Sequence, residues 1–168
     1  MVSEIARARQ MLDQMPDQVF ELWLEPIIRL NGWPFANLNA PCVGNFREYF
    51  GAIPLNEVAK LHWHRSPLAI ADCVFNPNSK KRIQQMMDFH IFGRKDGLEC
   101  AVDGEARFMR LKEVIAKICA YPAPIVLLRD GEYFQILDGY HRITALFALV
   151  FEGKVEKFEM DCWIGERV

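Results

Sequence analysis

The sequence predicts an α+β (mixed α/β) fold, in which a small sheet is packed by helices and is preceded by a helical N-terminal extension. Apolar residues recur at helical spacing through much of the chain, and two short apolar segments flank an Asp-Gly turn. Of the 168 residues, 51% are apolar, which suffices for one sizeable core. We therefore expect one compact domain, with a mainly helical extension over 1–103 and a core over 104–168.

Residues 3–31 predict two amphipathic helices, the first after a cap at Ser3 and the second with a kink at Pro26. Their apolar faces comprise Ile5, Ala8, Leu12 and Met15 in the first helix, and Val19, Phe20, Trp23, Ile27 and Leu30 in the second.

The middle of the chain predicts two helices and one weak strand. A short helix is expected within 54–66, ending before Pro67, and a weak strand over 68–75. Residues 76–93 begin with cap-type side chains and end at Gly93, which is typical of a helix.

The C-terminal part predicts the order strand, helix, hairpin, helix, strand. The segment 106–111 suits a strand, and a helix follows it. Two apolar strands flank Asp130-Gly131, the strongest hairpin signal in the chain. Residues 139–151 then predict a helix and 157–164 a final strand.

Composition excludes several classes of protein. The net charge is −2, and no apolar run reaches the roughly 18 residues that a membrane span needs. The five cysteines are scattered and form no CxxC pair, which favours reduced thiols in a cytoplasmic protein over a disulfide framework or a zinc site. Walker-type and GxGxxG loops are absent from the sequence.

The segment FQILDGYHRITALFAL concentrates the chemistry of this chain. After Arg142 no charged residue occurs until Glu152, so the predicted helix is apolar almost all round and should be buried. Only its first turn would reach solvent, with free N–H groups and the positive end of the helix dipole. Gly139 would let a ligand approach the backbone, and Arg142 offers a forked cation. Together they predict an anion site, most plausibly for phosphate.

Each residue of this turn also has a purely structural interpretation. Asp138 would cap the helix by accepting the N–H of His141, and Arg142 would pair with a nearby carboxylate. His141 would be a satisfied structural histidine, and Thr144 would either bind the phosphate or lie buried. For each residue taken alone, the structural interpretation is favoured. The concentration of functional side chains in one short segment, however, favours a functional site.

At these residues the chain resembles the ParB/sulfiredoxin superfamily. The stretch GEYFQILDGYHRITAL is similar to that family's strand leading into a Gly-x-x-Arg helix start, and the flanking segments extend the likeness over 104–166. By this likeness Gly139 and Arg142 take phosphate-binding roles, with Tyr140 and His141 between them. Sulfiredoxins carry their reactive cysteine where this chain has Tyr140, so that chemistry is not expected.

The resemblance implies a nucleotide-using hydrolase, either an ATPase or nucleotidase or a nuclease, whose ligand is ATP or another nucleotide with Mg²⁺. The compact size also resembles Osa-type plasmid fertility-inhibition proteins, which implies an effector that suppresses conjugative or type IV DNA transfer through a protein of that machine. Partition activity is not expected, because the sequence ends at Val168 without the helix-turn-helix region of partition proteins. The alternatives are a non-catalytic nucleotide- or DNA-binding regulator and a protein-binding inhibitor.

The predicted mechanism assigns a role to each residue. Backbone amides of Gly139, Tyr140 and His141 would cradle a nucleotide phosphate, while Arg142 neutralises the charge that develops on it. Asp138 would position Mg²⁺ or activate water, with His141 as the alternative base.

Two weaker patterns lie earlier in the chain. Lys80, Lys81 and Arg82 form a basic run that is either a solvated helix face, the favoured interpretation, or a contact to the DNA backbone. His62 and His64 could flank a metal, but without a carboxylate or cysteine at ligand spacing a packing role is favoured.

Overall fold

The computed structural model describes residues 3–40, 53–94, 104–120 and 123–167. They form a mixed α+β fold, which confirms the predicted class. The helices are α1 (Glu4–Met11), α2 (Asp17–Val19), α3 (Glu25–Asn31), α4 (Leu55–Val58), α5 (Pro77–Phe92), α6 (Gly104–Ile118) and α7 (Tyr140–Phe151), and the strands are β1 (His62–Ala69), β2 (Ile125–Asp130), β3 (Tyr133–Asp138) and β4 (Glu159–Glu166).

The four strands form one mixed sheet in the order β1-β4-β2-β3. β4 runs antiparallel to β1 and parallel to β2, while β2 and β3 form an antiparallel hairpin. Asp130 pairs with Tyr133 across the turn, where Gly131 has a φ of 60°. The hairpin predicted around Asp130-Gly131 is therefore confirmed, and it places the end of β3 at one edge of the sheet.

A hydrophobic core lies on each face of the sheet. Along β2, Val126 and Leu128 point toward the core formed with the N-terminal helices, and Ile125 and Leu127 point toward the core formed with α5, α6 and α7. This alternation follows from the two-residue period of a strand, and burial on both faces explains why the first four residues of β2 are all apolar. The sheet is thus the middle layer of three.

The first layer contains the two helical regions predicted over 3–31. Ser3 caps α1 through its side chain, which accepts the N–H of Ala6 at 3.2 Å. A π-helical segment, Phe20–Leu24, joins α2 to α3, and Pro26 lies in the first turn of α3. Because proline has no N–H to donate, it is tolerated at this position. None of the helices within the described ranges is long and apolar enough to cross a bilayer.

The strand predicted over 106–111 is wrong, because these residues belong to α6. Phe108 and Ile115 are buried seven residues apart, whereas Met109 is 49% exposed. That pattern matches the helical period and not the alternation of a strand.

The boundaries predicted between 54 and 75 are also wrong. α4 ends at Val58, and the strand runs over His62–Ala69, earlier than expected and through Pro67. β1 lies at the edge of the sheet, where a proline without an N–H can be accommodated. Residues Ile70–Asp72 then form a short 3-10 helix before α5. Both β1 and α5 come from the segment 1–103, which was predicted as a mainly helical extension. β1 joins the sheet, and α5 joins the second helical layer with α6 and α7.

Candidate functional site

α7 is buried along most of its length, as its sequence predicts. The side chains of Ile143, Leu146 and Leu149 pack into the second core. β3 ends at Asp138 and α7 begins at Tyr140, so only Gly139 separates strand from helix. Gly139, the residue before the helix, has no side chain to cap it, and the first N–H groups of any helix have no partner within it. We call this turn, residues 138–142, the α7 mouth.

Gly139 is required by backbone conformation and by packing. Its φ is 110° and its ψ 16°, a region that residues with a Cβ rarely adopt. A Cβ at this position would lie 3.1 Å from Cγ2 of Ile125, 3.2 Å from its Cγ1 and 3.4 Å from Nε of Arg142. The space expected to admit a ligand beside the Gly139 Cα is therefore taken up by these two side chains.

Arg142 is held at the α7 mouth by three internal acceptors. Its Nη1 donates to the carbonyl oxygens of Ala123 at 3.0 Å and Pro124 at 2.7 Å, and its Nη2 forms an ion pair with Asp138. The Arg142 side chain is 12% exposed and that of Asp138 is 33% exposed. The interpretation of Arg142 as the partner of a nearby carboxylate thus describes this structure, and the contacts orient the guanidinium toward the first turn of α7.

One structural interpretation expected Asp138 to cap α7 by accepting the N–H of His141. The contacts of the Asp138 side chain are different. Its carboxylate accepts the Gly139 N–H and pairs with Arg142. Burial raises the pKa of the Asp138 carboxyl above its usual value, against the opposing effects of Arg142, the Gly139 N–H and Arg107. Desolvation therefore disfavours the charged form of the carboxylate that pairs with Arg142.

Tyr140 links the α7 mouth to the beginning of α5. Its hydroxyl lies 3.1 Å from Oγ of Ser79, a fully buried side chain that also accepts the N–H of Ile136 at 3.0 Å. The Ser79 N–H donates to Oδ1 of Asn76, which caps α5, at 2.8 Å. Burial raises the pKa of Tyr140. Ser79 was not predicted as a site residue, because its position after Asn76 indicates only a local cap.

Thr144 and His141 face different surroundings. Thr144 is fully buried, and its hydroxyl lies 3.8 Å from the sulfur of Met86 on α5. The buried interpretation of Thr144 therefore describes the structure. The His141 ring lies 6.1 Å from that of His90, also on α5.

His90 was not predicted as a site residue, although its environment is unusual. Its ring stacks on Phe108 at 4.2 Å with an interplanar angle of 6°, and the edge of Phe89 lies 4.9 Å away. Both ring nitrogens are buried, and neither has a hydrogen-bond partner among the residues that the structure describes. Burial lowers the pKa of His90, with Glu105 opposing. A neutral imidazole therefore sits between α5 and α6, next to His141.

The structure connects the basic run predicted at Lys80, Lys81 and Arg82 with the α7 mouth. Lys80, Lys81 and Arg82 are exposed on α5 directly after Ser79. The positive charge of Arg82 lowers the pKa of Tyr140, against the larger effect of burial. The Ser79–Tyr140 hydrogen bond is the connection between the two groups.

Asp138 fits a magnesium ion only as a single protein ligand. In the described parts of the chain no three His, Cys, Asp or Glu residues cluster as metal ligands. His62 and His64 therefore belong to no such cluster among the described residues. Magnesium in phosphate-handling sites commonly takes one or two carboxylates together with oxygens of the substrate. If a nucleotide carries a magnesium ion, oxygens of the nucleotide would supply most of its ligands, and Asp138 could contribute to binding it only as the alternative to activating water.

Comparison with known proteins identifies no relative. No family model, curated protein or solved structure matches the chain. The resemblance to the ParB/sulfiredoxin superfamily stays a prediction from the motif, and the strand expected at 106–111 is helical.

Proposed function

We propose that this chain binds a phosphate of a nucleotide at the α7 mouth, where the phosphate replaces the Asp138 carboxylate beside Arg142. The observation that carries the proposal is the ion pair between these two residues at the N-terminus of a buried helix. An internal carboxylate there indicates that the position favours an anion, because the helix dipole and the guanidinium both attract negative charge.

Asp138 is a weak competitor for this position. It loses solvation on burial, which raises its pKa and disfavours its charged form. A phosphate brings more charge and three acceptor oxygens, and it matches the fork of a guanidinium. The carbonyl groups of Ala123 and Pro124 would keep Nη1 of Arg142 in place during the exchange, since they bind a different nitrogen from Asp138.

Hydrolysis of the nucleotide would follow from the same exchange. Once released, the Asp138 carboxylate lies beside the bound phosphate, and a raised pKa suits it to take a proton from water. The water oxygen then bonds to phosphorus while the bond to the leaving oxygen breaks, and Arg142 stabilises the charge on the transferred group. His141 is the alternative base. Cleavage of a phosphodiester in DNA would use the same groups, and a role in suppressing DNA transfer stays a prediction of the resemblance.

The proposal is tested by thermal unfolding with a panel of nucleotides and Mg²⁺. A ligand at about 100 times its Kd stabilises by about 2.7 kcal/mol, which for a chain of this size raises Tm by roughly 5 to 10 °C. We expect this rise in the wild type and its loss in Arg142→Gln. Arg65→Gln is the matched control, because Arg65 also pairs with an aspartate, Asp161, on the far edge of the sheet.

The same samples separate binding from turnover. Release of inorganic phosphate that requires Arg142 and Asp138 supports an enzyme, whereas a nucleotide-dependent rise in Tm without phosphate release supports a binding regulator. A folded Arg142→Gln protein that keeps the wild-type rise in Tm contradicts the proposal.

A further inference from the structure

We propose that Lys80, Lys81 and Arg82, which we call the basic α5 face, bind the backbone of a nucleic-acid strand and lead it to the α7 mouth. This inference deepens the proposed function, because it makes the phosphate bound at the mouth part of a polynucleotide. It depends on the charge, the exposure and the position of these three side chains.

The first observation is the distribution of charge at the starts of the helices. α1, α3 and α6 each have a glutamate in the first turn, at Glu4, Glu25 and Glu105, as the helix dipole favours. α5 and α7 have no acidic residue there. An anion supplied by a ligand would take the place of the missing acidic side chains at these two helix starts.

The second observation is that these charges are not neutralised by the protein. All three side chains are exposed, and none of the ion pairs found in the described ranges includes them. Other arginines of the chain differ, since Arg65 pairs with Asp161 and Arg129 with Glu166. The basic α5 face therefore keeps its full charge toward solvent, and such a cluster attracts phosphate groups and releases their counterions.

The third observation is the link to the α7 mouth. Ser79, the residue before Lys80, bonds the Tyr140 hydroxyl at 3.1 Å, and the charge of Arg82 acts on Tyr140. Arg107, exposed on α6, acts in the same way on Asp138. The Ser79–Tyr140 hydrogen bond thus holds the basic start of α5 beside the turn that contains Arg142. A strand whose phosphates follow these cations would pass the α7 mouth.

A nucleic acid suits this surface better than an anionic membrane does. Peripheral membrane binding combines cations with an apolar face that enters the bilayer. The exposed aromatic side chain of α5, Phe92, lies in its last turn, at the opposite end of the helix from the basic α5 face. The chain as a whole carries a net charge of −2, so attraction to a polyanion has to come from a local cluster.

The test measures the affinity of a fluorescent single-stranded 20-nucleotide DNA by anisotropy at several salt concentrations. Lys80→Gln/Lys81→Gln is compared with Lys60→Gln/Arg29→Gln, which removes two positive charges from the opposite layer. Lys60 is exposed, and Arg29 forms an exposed pair with Glu25 that contributes little to stability. Each phosphate contact contributes about 0.7 to the slope of log affinity against log salt. We expect the first variant to lose about 1.4 from the slope and the control to keep it.

Two outcomes overturn the inference: an unchanged slope and affinity in Lys80→Gln/Lys81→Gln, or an equal loss in the control. The nucleotide-dependent rise in Tm is measured on the same proteins. If DNA binding requires Lys80 and Lys81 but no nucleotide raises Tm, the basic α5 face stands and the proposed function fails. If nucleotides raise Tm and DNA binding is absent, the proposed function stands and the inference about the basic α5 face fails.

Discussion

The carboxylate of Asp138 occupies the anion position beside the guanidinium of Arg142 at the N-terminus of α7. The contact joins the last residue of a strand to the first turn of the buried helix that follows it. The proposed phosphate site is at this ion pair.

Replacing Gly139 should destabilise the fold more than replacing another left-handed glycine. We expect Gly139→Ala to lower the free energy of unfolding by about 2 to 4 kcal/mol, because backbone strain adds to overpacking against Ile125. Gly153→Ala, with a φ of 65° and open space around its Cα, should lose only about 1 to 2 kcal/mol. Urea denaturation measures both, and equal losses would show that packing at Gly139 is unimportant.

Removing the Ser79 hydroxyl should weaken the contact between α5, β3 and α7. Ser79→Ala leaves the Ile136 N–H and the Tyr140 hydroxyl without this partner, so we expect a loss of about 1 to 3 kcal/mol. Tyr140→Phe keeps the bond from Ile136 to Ser79 and should lose about 1 kcal/mol or less. The opposite order of the two losses, in chemical denaturation, would contradict this assignment.

His90 should make stability depend on pH. Its pKa is lowered in the folded state, so the unfolded chain binds a proton more readily. The stabilisation is therefore fully present above the unfolded pKa of about 6.5 and is lost as pH falls below that value toward the folded pKa. Glu105 opposes the shift, and the His141 ring lies 6.1 Å from that of His90.

We expect the free energy of unfolding to fall between pH 7 and pH 5, and to fall less in His90→Phe. His62→Gln is the control, because His62 is exposed on β1. Denaturation at each pH gives the comparison. A decline that is identical in the wild type and His90→Phe would exclude His90 as its cause.

Local patterns in the sequence predicted the elements around the site, but not the contacts between them. Asp130-Gly131 indicated the hairpin, and the apolar run after Arg142 indicated a buried helix, because turn chemistry and helical spacing act over a few residues. Ser79 and Tyr140 are 61 residues apart, and Arg142 bonds the carbonyl of Ala123 19 residues before it. Such pairs are set by tertiary packing, which one sequence does not reveal.

The error at 106–111 has a similar cause. The six residues of the predicted strand are too few to show a helical period, which becomes clear only over the full length of α6, Gly104–Ile118. The role of Gly139 was also incompletely predicted. This glycine was expected to let a ligand approach the backbone, whereas its positive φ and the packing of Ile125 against it depend on how β2 lies beside the turn.

The central claim is that a phosphate competes with Asp138 for Arg142. Titration calorimetry of the nucleotide that raises Tm most, into Asp138→Asn and the matched control Asp161→Asn, tests it most directly. Asparagine keeps the shape of the side chain and removes its charge. We predict that Asp138→Asn binds about tenfold more tightly than the wild type, a gain of about 1.4 kcal/mol, while its phosphate release slows and Asp161→Asn is unchanged. Unchanged or weaker binding by a folded Asp138→Asn protein would contradict the account.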